Sequence, residues 1–237
     1  MRRNERDQPI GDDVWGWHPV VLPRGVRLVG HEVTLVDLTT DHVSDLFELT
    51  CGEGDEGLWT YMTAGPFRTT TELAAYLRKS MDNPTQIPLA IVGNETGRVV
   101  GTASWLRANV TDGVIEVGTI LYSPEMQHHR GGTEAMYLMA RHAIDELGYR
   151  RYEWKCDDLN TGSRAAAERY GFTYEGTFRK HMVYKGRNRD TAWYSMTDDE
   201  WRRLRPAYER WLADDNFDEH GRQRTRLSEL TAAALGR

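Results

Sequence analysis

The sequence predicts a mixed α/β fold in which a twisted, mostly antiparallel sheet is flanked by helices and contains one parallel β-α-β crossover. Three stretches carry that prediction. Val114–Tyr122 is β-branched and aromatic, lacks proline and has one acidic side chain, Glu116, in its middle, as expected of a buried strand carrying a single charge. From Thr133 the apolar residues Met136, Met139, Ala140, Ala143 and Leu147 recur at helical spacing, and Gly148 stands where a left-handed C-terminal residue belongs. Arg151–Cys156 then alternates charged and apolar side chains with the period of a strand. Two strands bridged by a helix of this length predict a right-handed parallel connection.

The remaining elements follow in order. Residues 1–30 are charged and then carry Trp15, Trp17, Pro19 and Pro23, predicting an extended arm whose tryptophans pack on the domain or on a second copy. Val33–Leu38 reads as a strand, Thr40-Asp41 as the cap of a helix containing Val43, Leu46, Phe47 and Leu49, and Thr69/Thr70 as the start of a second helix with Glu72 near its positive end. Pro88–Val92, Val99–Leu106 and the Val114 strand are joined by Asn94-Glu95-Thr96-Gly97 and Thr111-Asp112-Gly113, which predicts an antiparallel meander. An alanine-rich helix ends at Gly171. Phe172–Phe178 and Thr191–Met196 form a closing hairpin around a basic loop, and Thr197 with Glu200 caps a last helix, interrupted or restarted at Pro206. The expected organisation is an arm (1–30), a main domain (31–212) and a weakly ordered charged tail (213–237) with a short helix near Leu227–Leu235.

Composition narrows the function classes. A chain of 237 residues with 39% hydrophobic content can bury a sizeable core, and a net charge of −6 argues against general nucleic-acid binding. No apolar run reaches membrane-spanning length, and polar residues follow Met1-Arg2-Arg3, so a soluble cytoplasmic protein is expected. Cys51 and Cys156 have neither zinc spacing nor a disulfide framework and read as packed thiols.

In the predicted crossover, the turn Gln127-His128-His129-Arg130-Gly131-Gly132-Thr133 lies at the positive end of the helix, where free amides can hold an anion. Two glycines permit close approach and the basic side chains favour negative charge, which points to a phosphate-bearing cofactor; an ordinary strand-to-helix turn stands as the other reading. Adjacent His128 and His129 point in different directions with no third ligand nearby, so no metal is expected.

This order of elements resembles the GNAT acetyltransferase fold, and the motifs are most similar to the RimJ/RimL-like N-acetyltransferases. Thr133-Glu134-Ala135 opens the cofactor helix, Asn160 with Ser163 opens the next, and Gly171-Phe172 ends it; the likeness spans roughly residues 32–201. Where the superfamily's turn has its first glycine this chain has Arg130, and the tyrosine of many relatives falls at Ala167. The resemblance implies direct attack of an amine on acetyl-CoA in a ternary complex, without an acyl-enzyme. It implies cofactor contacts from residues 127–133 and Asn160, backbone donors at Ile120 and Leu121 beside a bulged strand, and Ser163 as the acid for the departing thiolate. For Ser163 and Asn160, helix capping is the competing role.

Glu116 is the candidate base, because a carboxylate in an apolar strand is costly unless it works or is paired; a structural ion pair is the alternative. At pH 7, deprotonating an α-amine of pKa about 8 costs about 1.4 kcal/mol against about 4.6 for a lysine, so a protein or peptide N-terminus or another weakly basic amine is the expected acceptor. The acidic loop at Glu53, Asp55 and Glu56, with Trp59 and Tyr61 beside it, is the candidate acceptor-binding surface. A detoxifying acetyltransferase and a non-catalytic acyl-CoA-binding module are the alternatives. No membrane or nucleic-acid partner is expected, whereas a homodimer through the arm or the last helix is compatible with the sequence.

Overall fold

The computed structural model describes residues 2–237. Strands β1 (Arg2–Arg3) and β2 (Pro9–Ile10) make a small hairpin in the arm. The main sheet has eight strands: β3 (Arg27–Val29), β4 (Val33–Asp37), β5 (Gln86–Gly93), β6 (Val99–Asn109), β7 (Val114–Tyr122), β8 (Arg151–Asp157), β9 (Thr173–Tyr184) and β10 (Arg187–Thr197). Their order is β3-β4-β5-β6-β7-β8-β10-β9, and every pair is antiparallel except β7 with β8.

Six α-helices cover this sheet: α1 (Val43–Thr50), α2 (Thr70–Met81), α3 (Arg130–Arg141), α4 (Thr161–Arg169), α5 (Asp198–Leu212) and α6 (Leu227–Leu235). Helices α3 and α5, with α4 and α6, bury one face around Trp105, Tyr152, Trp154, Tyr170 and Trp201. Helices α1 and α2 cover the opposite face, but only over β4–β7, through Leu46, Trp59, Leu73 and Leu77. The second face of β8 is therefore left for charged side chains, with Trp193 and Ser195 of β10 beside them.

Helix α3 starts three residues before the expected Thr133, because His129 caps it: its Nδ1 accepts from the Gly131 amide at 3.1 Å. A π-helical turn, His142–Glu146, extends it to Leu147, and Gly148 takes the expected left-handed φ of +82°. Helix α5 runs unbroken through Pro206. Proline sits on its solvent side, as does Arg202, whose carbonyl loses its partner, while Trp201, Leu204, Tyr208 and Trp211 stay buried on the other side.

Two further expectations need correction. Residues 180–189 are not mainly loop, since β9 and β10 continue almost to a tight turn at Lys185-Gly186. The tail is not weakly ordered either: Leu227 and Asn216 are buried, Asn216 bonds the Trp211 and Thr225 carbonyls, and Thr231 bonds the Arg169 carbonyl. In the arm, Trp17 donates to the Thr111 carbonyl at 2.9 Å and lies under Arg150, whereas Trp15 is exposed.

Candidate active site

The site is built where β7 and β8 part. They pair only from Val114/Arg151 to Val117/Trp154, after which β8 stays with β10 and the free edge of residues 118–122 opens a wedge. Within that segment β7 carries an extra residue against β6, between the Thr102/Leu121 and Ser104/Gly118 pairs, and Thr119 takes a left-handed φ of +49°. This bulge re-aims the backbone around Ile120 and Leu121. A narrow crevice between α1–α2 and the sheet, lined by Leu46, Met62 and Tyr76, reaches the bulge at Thr119 and Leu121.

At the far end of the wedge lies the turn into α3. The Gly131 and Gly132 amides are bonded to His129, whereas the amides of His128 and Arg130 have no acceptor among the described residues. His128 holds a left-handed φ of +60°, and Gln127 and His128 are exposed. A Cβ on Gly132 would come within 3.1 Å of the Tyr122 ring, whose hydroxyl donates to the Gly132 carbonyl at 2.9 Å. Thr133 accepts from Arg169 at 3.0 Å. Glu134, read in the sequence only as part of the motif that opens the helix, anchors this end: its buried carboxylate accepts from the His31, Glu32 and Val33 amides at 2.7, 2.7 and 2.9 Å. A positive helix end holding two free amides beside an open wedge fits a ligand with a diphosphate.

Arg130 itself turns from that turn to the C-terminal segment. Its guanidinium donates to the Leu212 carbonyl and to Asp214 at 2.9 Å, lies 3.4 Å from Glu32, and sits 4.7 Å above the Phe217 ring. The side chain at the superfamily's glycine position thus pins the tail, while its backbone amide remains free. Hydrogen bonding to Arg130 holds the Asp214 carboxyl below its ordinary value.

Glu116 lies on the sheet face that α1 and α2 leave open beyond β7, and it is almost fully buried. Its Oε2 accepts from Arg107 Nε at 2.9 Å and from Lys155 Nζ at 2.9 Å, and a second Arg107 nitrogen reaches Oε1. Lys155 also contacts Glu153 at 2.7 Å and stands 3.9 Å over the Trp193 ring; Arg151 continues the row to Glu153 and Glu175. Six charges thus alternate in sign across four strands. Burial pushes the Glu153 carboxyl up, but hydrogen bonds from Lys155 and Arg151 outweigh it and hold it below its ordinary 4.5. The alternation in Arg151–Cys156 already put Arg151, Glu153 and Lys155 on one face; their reach to Glu116 and Arg107 needed the strand register.

Near α4, Ser163 Oγ accepts from Trp154 Nε1 at 3.0 Å and its amide donates to Asn160 Oδ1 at 3.0 Å, so Asn160 caps the helix. Burial raises the neighbouring Cys156 thiol. Trp59 is wholly buried, its Nε1 donating to the Thr50 carbonyl at 2.7 Å and its ring packed on Phe67 and Tyr76, so it is a core residue and offers no acceptor surface. Tyr61 bonds the Leu159 carbonyl at 3.1 Å, while Lys185 and Arg187 from the β9–β10 turn bond the Trp59 and Thr60 carbonyls. No cluster of metal-ligating side chains occurs among the described residues.

A forked sheet with one bulged strand and an open helix N-terminus at its mouth defines an acyl-CoA-dependent transferase architecture. Residues 32–173 match the model of the GNAT acetyltransferase domain, and the chain belongs to that family of acetyltransferases. It is similar to a GCN5-related N-acetyltransferase from Brucella melitensis, with 39% identity and a TM-score of 0.89 over 92% of this chain and 99% of that one. A GNAT-family structure from Chromobacterium violaceum shares 34% identity, with a TM-score of 0.77 over 82% and 98% of the two chains. A third structure, from T. thermophilus, shares 26% identity, with a TM-score of 0.73 over 81% and 99%. No curated protein matches the chain.

Proposed function

We propose that this acetyltransferase moves the acetyl group of acetyl-CoA onto a primary amine by direct attack in a ternary complex, with Glu116 at the acceptor end of the wedge. The observation that carries this reading is the fork itself: the unpaired, bulged edge of β7 leads from Glu116 to the free amides at the start of α3. Acetyl-CoA supplies the activated thioester. The chain's own residues do the rest. The α3 turn binds the diphosphate, the re-aimed backbone at Ile120 and Leu121 donates to the carbonyl oxygen as it gains charge, and Glu116 holds the amine and takes its proton. Ser163, whose hydroxyl proton is not committed to Trp154, delivers a proton to the departing sulfur. The Asn160-x-x-Ser163 and Gly171-Phe172 motifs support a place in the RimJ/RimL-like branch and an α-amine acceptor.

The test is a calorimetric titration with acetyl-CoA followed by measurement of free thiol across a panel of peptide α-amines, lysine side chains and small amines, comparing the parent with Glu116→Gln. Thiol release on α-amines that falls at least about a hundredfold in the variant supports the reading. Binding without release, or equal rates in the variant, removes Glu116 from the chemistry.

A further inference from the structure

Two cations hold Glu116, and they differ in kind. Lys155 is fixed: its side chain is 8% exposed and its ammonium has two carboxylates and an indole face around it. Arg107 is not. Its side chain is 57% exposed, and Glu116 is its sole polar partner among the described residues. The guanidinium closes the side of Glu116 that opens towards solvent.

The backbone is shaped to put it there. Leu106 pairs with Glu116 and shares its face, so simple alternation would send Arg107 to the opposite face of the sheet. Instead the β6–β7 register shifts between Leu106 and Asn109, and Arg107 adopts a left-handed φ of +48°. A long side chain held in a conformation that favours glycine marks a position where the surrounding structure imposes backbone strain.

We propose that Arg107 determines acceptor specificity: the acceptor is a peptide α-amine whose own residue carries a carboxylate or phosphate two carbons from the nitrogen, as an N-terminal aspartyl or phosphoseryl residue does. The amine displaces Arg107 from Glu116, and the displaced guanidinium, still at the mouth, grips the acceptor's carboxylate or phosphate in a two-pronged contact. A bare amine would separate Arg107 from Glu116 and leave the guanidinium without a partner. This inference rests on Glu116 as the acceptor end of the site.

Binding, rather than turnover, tests it. Calorimetric titrations of the full chain, alone and saturated with CoA, compare Asp-Gly-amide with Asn-Gly-amide and phosphoseryl-Gly-amide with Ser-Gly-amide, on the parent, Arg107→Gln and Arg107→Lys. The expected result is a preference of about tenfold or more for the anionic member in the parent, lost in Arg107→Gln and partly kept in Arg107→Lys. The two pairs tell a carboxylate from a phosphate. A parent without preference, no binding of any of the four at millimolar concentration, or a preference that survives in Arg107→Gln overturns the proposal. CoA binding and thiol release are read separately, so acetyl transfer can stand with this proposal gone, and an anion preference can stand where transfer fails. CoA binding unchanged in both variants shows that they fold.

Discussion

Strand β8 presents two different worlds on its two faces. Tyr152, Trp154 and Cys156 enter an apolar, aromatic core beneath α3 and α5, while Arg151, Glu153 and Lys155, one residue out of step, form an ion row with Glu116, Arg107 and Glu175. Burial is similar on both sides for Trp154 and Lys155, but the energetics differ. Trp154 is held by removal of area from water and can be weakened in increments; Lys155 is held between two carboxylates that keep one cation each if it leaves, Arg107 for Glu116 and Arg151 for Glu153, so its loss leaves the row with a surplus buried negative charge.

The largest effect is therefore expected at Lys155. Lys155→Met should cost about 3–5 kcal/mol, as much as Trp154→Ala, in urea or thermal unfolding. The two losses can be told apart. Adding Glu116→Gln to Lys155→Met should restore part of the stability, because the surplus negative charge is gone, whereas the same addition to Trp154→Ala should not. Equal, additive costs in both backgrounds would mean that the ion row contributes nothing as a unit.

The same contrast appears on the pH axis. The Glu153 carboxyl is held below 4.5, as is that of Glu175 through its bonds to Arg151 and Ser195. For an acid whose folded-state value is depressed, the stabilisation is fully present above the unfolded value and disappears as pH falls through the folded one. Stability should thus decline below about pH 4.5, and Glu153→Gln should flatten that decline when unfolding midpoints are compared between pH 3 and 6. Trp154→Ala should shift the whole curve without changing its slope.

A middle-sized effect is expected at Arg130, where the cofactor turn meets the tail. Arg130→Ala removes two donors and a ring contact that tie α3 to residues 212–217, and should lower stability by about 1–3 kcal/mol. Because the free backbone amide survives the change, affinity for CoA by calorimetry should stay within about threefold. A drop of a hundredfold would place the guanidinium on the diphosphate.

The sheet, its crossover and the turn before α3 were legible in the sequence because each depends on local period and on glycine. The bulges were not: the one beside Ile120 and Leu121 came only with the family resemblance, and the one at Arg107 not at all. A left-handed Thr119 or Arg107 leaves no mark in composition, since neither residue favours that conformation, and the register that creates it is set by strands tens of residues away. Arg130 shows the same limit: its place in the motif pointed to the diphosphate, but its direction was decided by Asp214 and Phe217, which belong to a segment whose high charge predicted disorder. The apolar residues Leu227 and Trp211 anchor that segment with little sequence signal of their own. Trp59 failed for a related reason, as an aromatic in an acidic loop reads as surface until α2 is folded over it.

The smallest effect is the most discriminating for the chemistry. Ser163 Oγ accepts from the indole of Trp154, so Ser163→Ala leaves a partly buried N–H without an acceptor and should cost about 1 kcal/mol of stability whatever else the hydroxyl does. If its proton also goes to the leaving thiolate, the variant should lose kcat on amines by tenfold or more with little change in KM, and the loss should be smaller for an acyl donor whose thiol is more acidic, since that sulfur needs no proton to depart. A stability change of that size with unchanged kcat would leave Ser163 as the partner of an indole on the apolar side of β8, and would assign all the proton transfers to the charged side.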